Sequence, residues 1–382
     1  MVKDRDHFHG SDLEKVEKIY GIKASDITSF AANVNPLGIS PKLRQTLSEH
    51  IDAITTYPDR EYTDLRTSIG NYINLDKDHI IVGNGSTELI SLFIQITHPK
   101  KALLISPTYS EYERELKLSG GSLDYFFLKE EDNFECNLTC LEQKLQEGYD
   151  LLIICNPNNP TSSVIKRPQM QQLLEMTKQI NQTRNYGTTQ NSDSGLSPLY
   201  VMIDETYVEF APNLDEVTAI PFIPSFDHLI VLRGVSKFFA APGLRLGYAA
   251  TSSAKLKEEI LTKKNPWTIN TLAAIAGEIM FSDEEYIHQT RTYIETQRDI
   301  VCNALRAHKE LKIYEPYGNF VLVHILKEEL TAADLFDAAI KKGLMIRDCV
   351  TFPGLDEHYF RICFMSEAKN QELLAIIDEF LA

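Results

Sequence analysis

The sequence predicts an α/β fold: a large domain with a mostly parallel sheet flanked by helices, followed by a smaller α/β C-terminal domain. Three observations carry this. Between about Ile80 and Tyr248, short apolar runs alternate with amphipathic stretches, the pattern of buried strands joined by crossover helices. Two long amphipathic stretches follow, at 266 to 281 and 285 to 308, and beyond them strand-like and helical segments alternate again. The chain has 382 residues, room for two domains, and 43% hydrophobic content, ample for packed cores.

In chain order, residues 1 to 45 are expected to form an arm that joins the small domain. Residues 46 to 265 form the large domain, and residues 266 to 382 form the linking helices and the small domain. The run Ile80-Ile81-Val82 is a strand that breaks at Gly83-Asn84-Gly85 and gives way to a helix. Apolar strands follow at 102 to 106, 123 to 128, 151 to 155, 200 to 204, 229 to 233 and 246 to 250, and in the small domain at 320 to 325, 344 to 348 and 359 to 364. The stretch 181 to 198, with Asn185-Tyr186-Gly187-Thr188-Thr189-Gln190-Asn191-Ser192, is polar, small and without periodicity. It reads as a surface insertion. No internal repeat is visible.

Several strand ends carry groups that make chemical sense together. Lys237 closes Val231-Leu232-Arg233-Gly234-Val235-Ser236-Lys237, and Arg245 stands eight residues later. A lysine at the end of an apolar strand can bond an aldehyde cofactor, while a serine and an arginine nearby bind its phosphate. An isolated Ser-Lys pair would be read as a solvated surface lysine; three further segments reverse that. Tyr200-Val201-Met202-Ile203-Asp204 ends in a carboxylate able to keep a ring nitrogen protonated, with Tyr207 three residues on. Leu151 to Cys155 breaks into Asn156-Pro157-Asn158-Asn159-Pro160, a turn that presents Asn159. Gly85-Ser86-Thr87, opening a helix, offers backbone N–H groups and a helix dipole to an anion.

These segments together resemble the fold-type I pyridoxal-phosphate-dependent aminotransferases, over nearly the whole chain. The resemblance implies that Lys237 is the catalytic lysine and covalent anchor of pyridoxal 5'-phosphate, Asp204 the partner of the pyridine nitrogen, and Tyr207 and Asn159 the ligands of the ring hydroxyl. It implies that Gly85, Ser86, Thr87, Ser236 and Arg245 hold the cofactor phosphate and that Tyr109 stacks on the pyridine face. Tyr57, in Thr56-Tyr57-Pro58-Asp59, would reach the neighbour's cofactor phosphate in a homodimer with shared active sites. Gly234 stands where relatives have a serine or threonine, so one phosphate hydrogen bond is expected to be missing or taken by water.

The finer resemblance is to the branch holding histidinol-phosphate aminotransferase and the threonine-phosphate decarboxylase of cobalamin synthesis. It rests on His9-Gly10-Ser11, Asn33-Val34-Asn35-Pro36, Pro266-Trp267-Thr268-Ile269-Asn270, Met345-Ile346-Arg347-Asp348-Cys349 and Tyr359-Phe360-Arg361. Met365 departs from it, standing where the decarboxylase pattern has another arginine. A substrate with both a carboxylate and a phosphate needs fixed cations, and arginine's planar fork binds either group. Arg361 is expected on the carboxylate, and Arg347, with His9 and Asn33, on the phosphate. The expected reaction is decarboxylation of a phosphorylated amino acid, L-threonine O-3-phosphate or serine phosphate. Transamination, as in histidinol-phosphate aminotransferase, is the alternative. A third reading is a non-catalytic regulator; such proteins add a basic DNA-binding domain before the fold, which the short polar start here is not expected to supply.

Composition sets limits. Lys plus Arg number 38 against 54 Asp plus Glu, a formal net charge of −16, which excludes a nucleic-acid surface. An anionic substrate must then be drawn by a local positive pocket. No apolar run approaches the roughly 18 to 20 residues needed to cross a bilayer, and MVKDRDHFHG lacks a signal-peptide core, so a cytoplasmic enzyme is expected. The six cysteines read as reduced core or loop residues, not as a metal site.

Overall fold

The inner apolar runs of the large domain become strands buried on both faces, because alternate side chains enter different cores, while the edge strand Ser122–Phe127 is only partly buried. In the strand Leu229–Gly234, Leu229 and Val231 join one cluster and Ile230 and Leu232 the other. Leu151–Cys155 divides the same way, with Leu152 and Ile154 on one side and Leu151 and Ile153 on the other. The helix Gly85–Thr97 covers one face through Leu89 and Phe93, and Arg167–Thr183 covers the opposite face through Met170 and Leu173. The structure, a computed structural model, describes Phe8, Gly10 and residues 12–184 and 197–382.

Seven strands form the large sheet, in the order Ile80–Asn84, Leu246–Ala250, Leu229–Gly234, Tyr200–Asp204, Leu151–Cys155, Lys101–Ser106 and Ser122–Phe127. Leu246–Ala250 is antiparallel to both its neighbours; every other pairing is parallel. The C-terminal ends of the other six strands therefore lie along one edge, where α/β sheets collect their functional loops.

A four-stranded antiparallel sheet orders Arg347–Asp348, Tyr359–Cys363, Phe320–Ile325 and Leu311–Ile313. Its register pairs Arg347 with Arg361, so both side chains leave the same face. The run 344 to 348, expected as one strand, is divided. Leu344–Met345 pairs in parallel with Thr28–Ser29, while Arg347–Asp348 pairs with Tyr359–Cys363, because the chain changes sheet at Ile346. The stretch expected as a helix from 266 starts only at Thr271, where Asn270 caps it by accepting from the Ala273 N–H. Near the N-terminus, the Phe8 ring stacks 5.5 Å from Phe336 with Tyr20 at its edge.

Candidate active site

A cavity of about 850 Å³ opens at the C-terminal edge of the large sheet and is closed on its far side by the four-stranded sheet. Ser86, Thr87, Tyr109, Asn159, Asp204 and Tyr207 line it, and Ser236, Lys237, Arg245, Arg347 and Arg361 complete the wall. Each large-domain member stands within a few residues of a strand end, so the strand-to-turn breaks read from the sequence all point into one space.

The Lys237 amine donates to the Ala32 carbonyl at 2.7 Å. Burial, with Arg361 adding to it, holds its pKa down to about 8. Asp204 is 4% exposed. Its Oδ1 accepts from the Thr206 N–H at 2.9 Å and the Thr206 hydroxyl at 2.5 Å, and its Oδ2 accepts from the Tyr112 hydroxyl at 2.6 Å. Burial raises the carboxyl pKa, and the Thr206 and Tyr112 donors oppose that rise. Tyr207 is buried, and burial raises its phenol too, while Tyr109 is pushed up to about 12 for the same reason.

The end of the cavity at Gly85 is built by close backbone approach. Gly85 has φ +76 and begins the helix Gly85–Thr97, leaving N–H groups of the first turn free. A Cβ on Gly85 would lie 2.6 Å from Arg245 Nη2, and one on Gly247 would lie 2.5 Å from the Ser86 nitrogen. Glycine at these two positions lets the guanidinium and the helix start meet. Gly234 is different: a Cβ there would find its nearest neighbours at 3.7 Å, so a serine would fit. Lys237, Asp204 and this cradle fit pyridoxal phosphate, with an amine for its aldehyde, a carboxylate for its ring nitrogen, and N–H groups and Arg245 for its phosphate.

On the small-sheet wall, Arg361 is 5% exposed, donates through Nη2 to the Ala31 carbonyl at 2.6 Å and through Nη1 to Asn159 Oδ1, and lies 5.2 Å above the Phe320 ring. Its Nε–H is buried without a partner. Arg347, 6% exposed, donates to the Phe8 carbonyl and to the Thr351 hydroxyl at 2.8 Å, and lies 5.0 Å from the Phe352 ring centroid. Burial, reinforced by Arg361, lowers the Arg347 pKa, the sign of cations held close together in a poor solvent.

Three expected site residues sit elsewhere, and one lies outside the described residues. Asn33 does not line the cavity; it is 1% exposed and its amide donates to the Tyr207 hydroxyl at 3.4 Å, on the side of the proposed ring-hydroxyl ligands. Gly85 lies just behind the wall, against Arg245. Tyr57 is 80% exposed, away from this chain's cavity, with its ring 4.9 Å from Trp267. His9 is the residue outside the described set. Met365 does not line the cavity either and touches Cys363 through sulfur. Tyr112, Thr206 and Thr351 were missed by reading the sequence. A signal existed for two of them: Tyr112 is three residues after Tyr109 on one helix face, and Thr206 follows Asp204 at turn spacing.

One cavity thus brings together a buried lysine amine, a buried carboxylate, a glycine turn beside Arg245 and two buried arginines in register. The chain belongs to the aminotransferase class I and II family, whose model matches residues 25–182 and 196–377, and it is a pyridoxal-phosphate-dependent enzyme. The match skips 183–195, inside the stretch read as an insertion. Among relatives, threonine-phosphate decarboxylase of Salmonella typhimurium strain LT2 is 30% identical over 98% of this chain and 96% of its own length. Histidinol-phosphate aminotransferase of Methanococcus aeolicus is 25% identical over 97% of this chain and 95% of its own. Among solved structures, the histidinol-phosphate aminotransferase from Clostridium acetobutylicum superposes with a TM-score of 0.80 at 30% identity, covering 91% of this chain and 97% of that one. Among the described residues no helix is long and apolar enough to cross a membrane.

Proposed function

We propose that the enzyme decarboxylates a phosphorylated amino acid, with L-threonine O-3-phosphate giving (R)-1-aminopropan-2-yl phosphate and serine phosphate as a related substrate. The observation that carries this reading is the Arg347–Arg361 pair, in register on one wall of the cavity that holds Lys237. Two buried cations facing one space call for a ligand with two anionic ends. The unpartnered Arg361 Nε–H suits the α-carboxylate, and Arg347 takes the phosphate. The Salmonella relative's name supports the same chemistry. Histidinol phosphate lacks a carboxylate, so it would leave Arg361 without a ligand until a keto acid bound in the second half-reaction.

Pyridoxal phosphate, when bound, supplies an aldehyde for Lys237 and a protonatable ring that takes up an electron pair. The rest is the work of this chain's residues. Lys237 Nζ, its pKa held down to about 8, would hold the cofactor through its aldehyde and, once free, would move a proton at the substrate α-carbon. Asp204, as a carboxylate, would hold the proton of the ring nitrogen. Arg361 fixes the direction of the substrate carboxylate, which decides the bond that breaks, and Arg347 holds the far end. Ser86, Thr87, Ser236, Arg245 and the Gly85 turn hold the cofactor phosphate. Tyr57, with exposed Ile51 and Ile54 on the same chain segment and Trp267 against its ring, belongs to the face of a homodimer and reaches the second site.

The second reading, a histidinol-phosphate aminotransferase, is favoured by the Clostridium structure. One assay separates the two. The purified enzyme is expected to release carbon dioxide from threonine phosphate without any keto acid. No release, together with amine transfer from histidinol phosphate to 2-oxoglutarate, would install the second reading.

A further inference from the structure

Tyr112 is fully buried, lies one helical turn beyond Tyr109, and touches two groups of the site at once. Its hydroxyl donates to Asp204 Oδ2 at 2.6 Å, and its ring meets Tyr109 edge to face, with centroids 5.6 Å apart at 86°. Tyr109 is the cap residue of the helix Ser110–Ser119 and Tyr112 sits in its first turn, so the backbone fixes the two rings relative to each other. A carboxylate has about four acceptor positions. Thr206 fills two on Oδ1 through its N–H and hydroxyl, and Tyr112 fills one on Oδ2. The remaining position is therefore on Oδ2, the oxygen that Tyr112 already holds.

We propose that Tyr112 is a positioning residue for the cofactor ring: its hydroxyl keeps Asp204 ionised with Oδ2 offered to the ring N–H, while its ring braces the stacking Tyr109. The inference rests on the reading of this cavity as the pyridoxal-phosphate site. Burial favours the neutral carboxyl, and a donor hydrogen bond favours the carboxylate. Tyr112 is a permanent donor, since burial and Asp204 itself keep its phenol protonated far above neutral pH. Without that O–H, Oδ2 becomes more basic, and the proton shared between ring nitrogen and carboxylate moves toward the carboxylate. Thr206 cannot compensate, because both its donors already lie on Oδ1.

The test uses the full-length holoenzyme loaded with pyridoxal phosphate labelled with nitrogen-15 in the ring. In Tyr112→Phe, which keeps the ring contact with Tyr109, the nitrogen resonance is expected to move toward that of unprotonated pyridine. The cofactor dissociation constant is expected to rise on the order of tenfold, the scale of one charge-assisted hydrogen bond. Replacing Tyr112 by 3,5-difluorotyrosine keeps the shape with a stronger donor, so the resonance is expected to move the opposite way. This second arm stands even if Tyr112→Phe fails to fold. An unchanged resonance in the fluorinated protein, or an unchanged resonance and affinity in a folded Tyr112→Phe, overturns the role of Tyr112. Wild-type protein that takes up no pyridoxal phosphate overturns the cofactor reading, and this inference with it, so the two failures are told apart by the wild-type control.

Discussion

Lys237 is kept less basic than a free lysine by burial, and this has a measurable sign. Its folded pKa of about 8 lies below the ordinary 10.5, so between those values the unfolded chain binds more protons and stability rises with pH. Below about 8 the cost of the buried charge is at its full value. Lys237→Met is therefore expected to raise the melting temperature of cofactor-free protein at pH 7, with the gain shrinking between pH 8 and 10.5; calorimetry at both ends checks it. The same variant should lose its visible cofactor absorbance and all turnover, and normal activity would sink the assignment of Lys237. The two arginines separate by effect. Arg347→Ala is expected to weaken threonine phosphate by about 2 to 5 kcal/mol, as for a buried charged partner removed, and to shrink the preference over free threonine. Arg361 substitution is expected to cut carbon dioxide release and raise side transamination, read by product analysis. Retained preference in Arg347→Ala would remove it from the phosphate site.

Between elements, Glu130 ties the large domain to the small sheet. Its carboxylate accepts from Lys312 at 3.0 Å, Tyr314 at 2.8 Å and His324 at 3.1 Å, residues on or beside Leu311–Ile313 and Phe320–Ile325. Burial alone would raise the Glu130 pKa, but the hydrogen bonds from Tyr314, Lys312 and His324 outweigh it and hold the group at about 2. A depressed carboxyl contributes stability that is present above the unfolded value of 4.5 and lost as pH falls toward 2. Glu130→Gln is expected to lower the denaturation midpoint at pH 7 and to flatten its decline below pH 4.5; an identical acid limb would exclude the tie. The insertion obeys a different rule. Residues 185–196 lie outside the described set, yet its neck is closed by Asn181 bonding both backbone groups of Leu199 and by Arg184 donating to the Ser197 carbonyl at 2.8 Å. Since doubling a loop's length costs only about 0.6 kcal/mol, replacing 185–195 by a short Gly-Ser linker should leave melting temperature and turnover nearly unchanged. Keeping Asn181 and Arg184 narrows the replaceable segment within the stretch 181 to 198 read from the sequence as an insertion. A large loss of cofactor occupancy would place the insertion on the site.

For the whole molecule, charge and surface set separate demands. The net charge of −16 repels anions at a distance, while Lys237, Arg245, Arg347 and Arg361 gather in one cavity, so attraction of the substrate is local. Tyr57, Ile51 and Ile54, each more than half exposed, are large apolar groups left to solvent in a single copy, and the Tyr57 ring lies against Trp267. A dimer is the expected state in solution. Light scattering at micromolar concentration checks it, and a fully active monomer would exclude the shared site. Mixing Tyr57→Phe with Lys237→Ala subunits is a sharper check, since a shared site restores part of the activity in the mixed dimer only if Tyr57 acts across the interface.

The sequence by itself determined the strand-to-turn breaks at Gly85, Asn159, Asp204 and Lys237, because each is written in a few adjacent residues: an apolar run, then glycine, proline or a polar group that cannot continue the strand. It also determined the alternation that makes a mostly parallel sheet. It did not determine the division of 344 to 348 between two sheets, the seat of Asn33 beside Tyr207, or the bond from Tyr112 to Asp204, whose partners stand 92 residues apart. Lys237 and the Ala32 carbonyl are separated by 205 residues. Such contacts depend on strand order and register, which set the neighbours of a side chain through packing of the whole chain. Local preference fixes where an element ends, and only tertiary structure decides what faces that end.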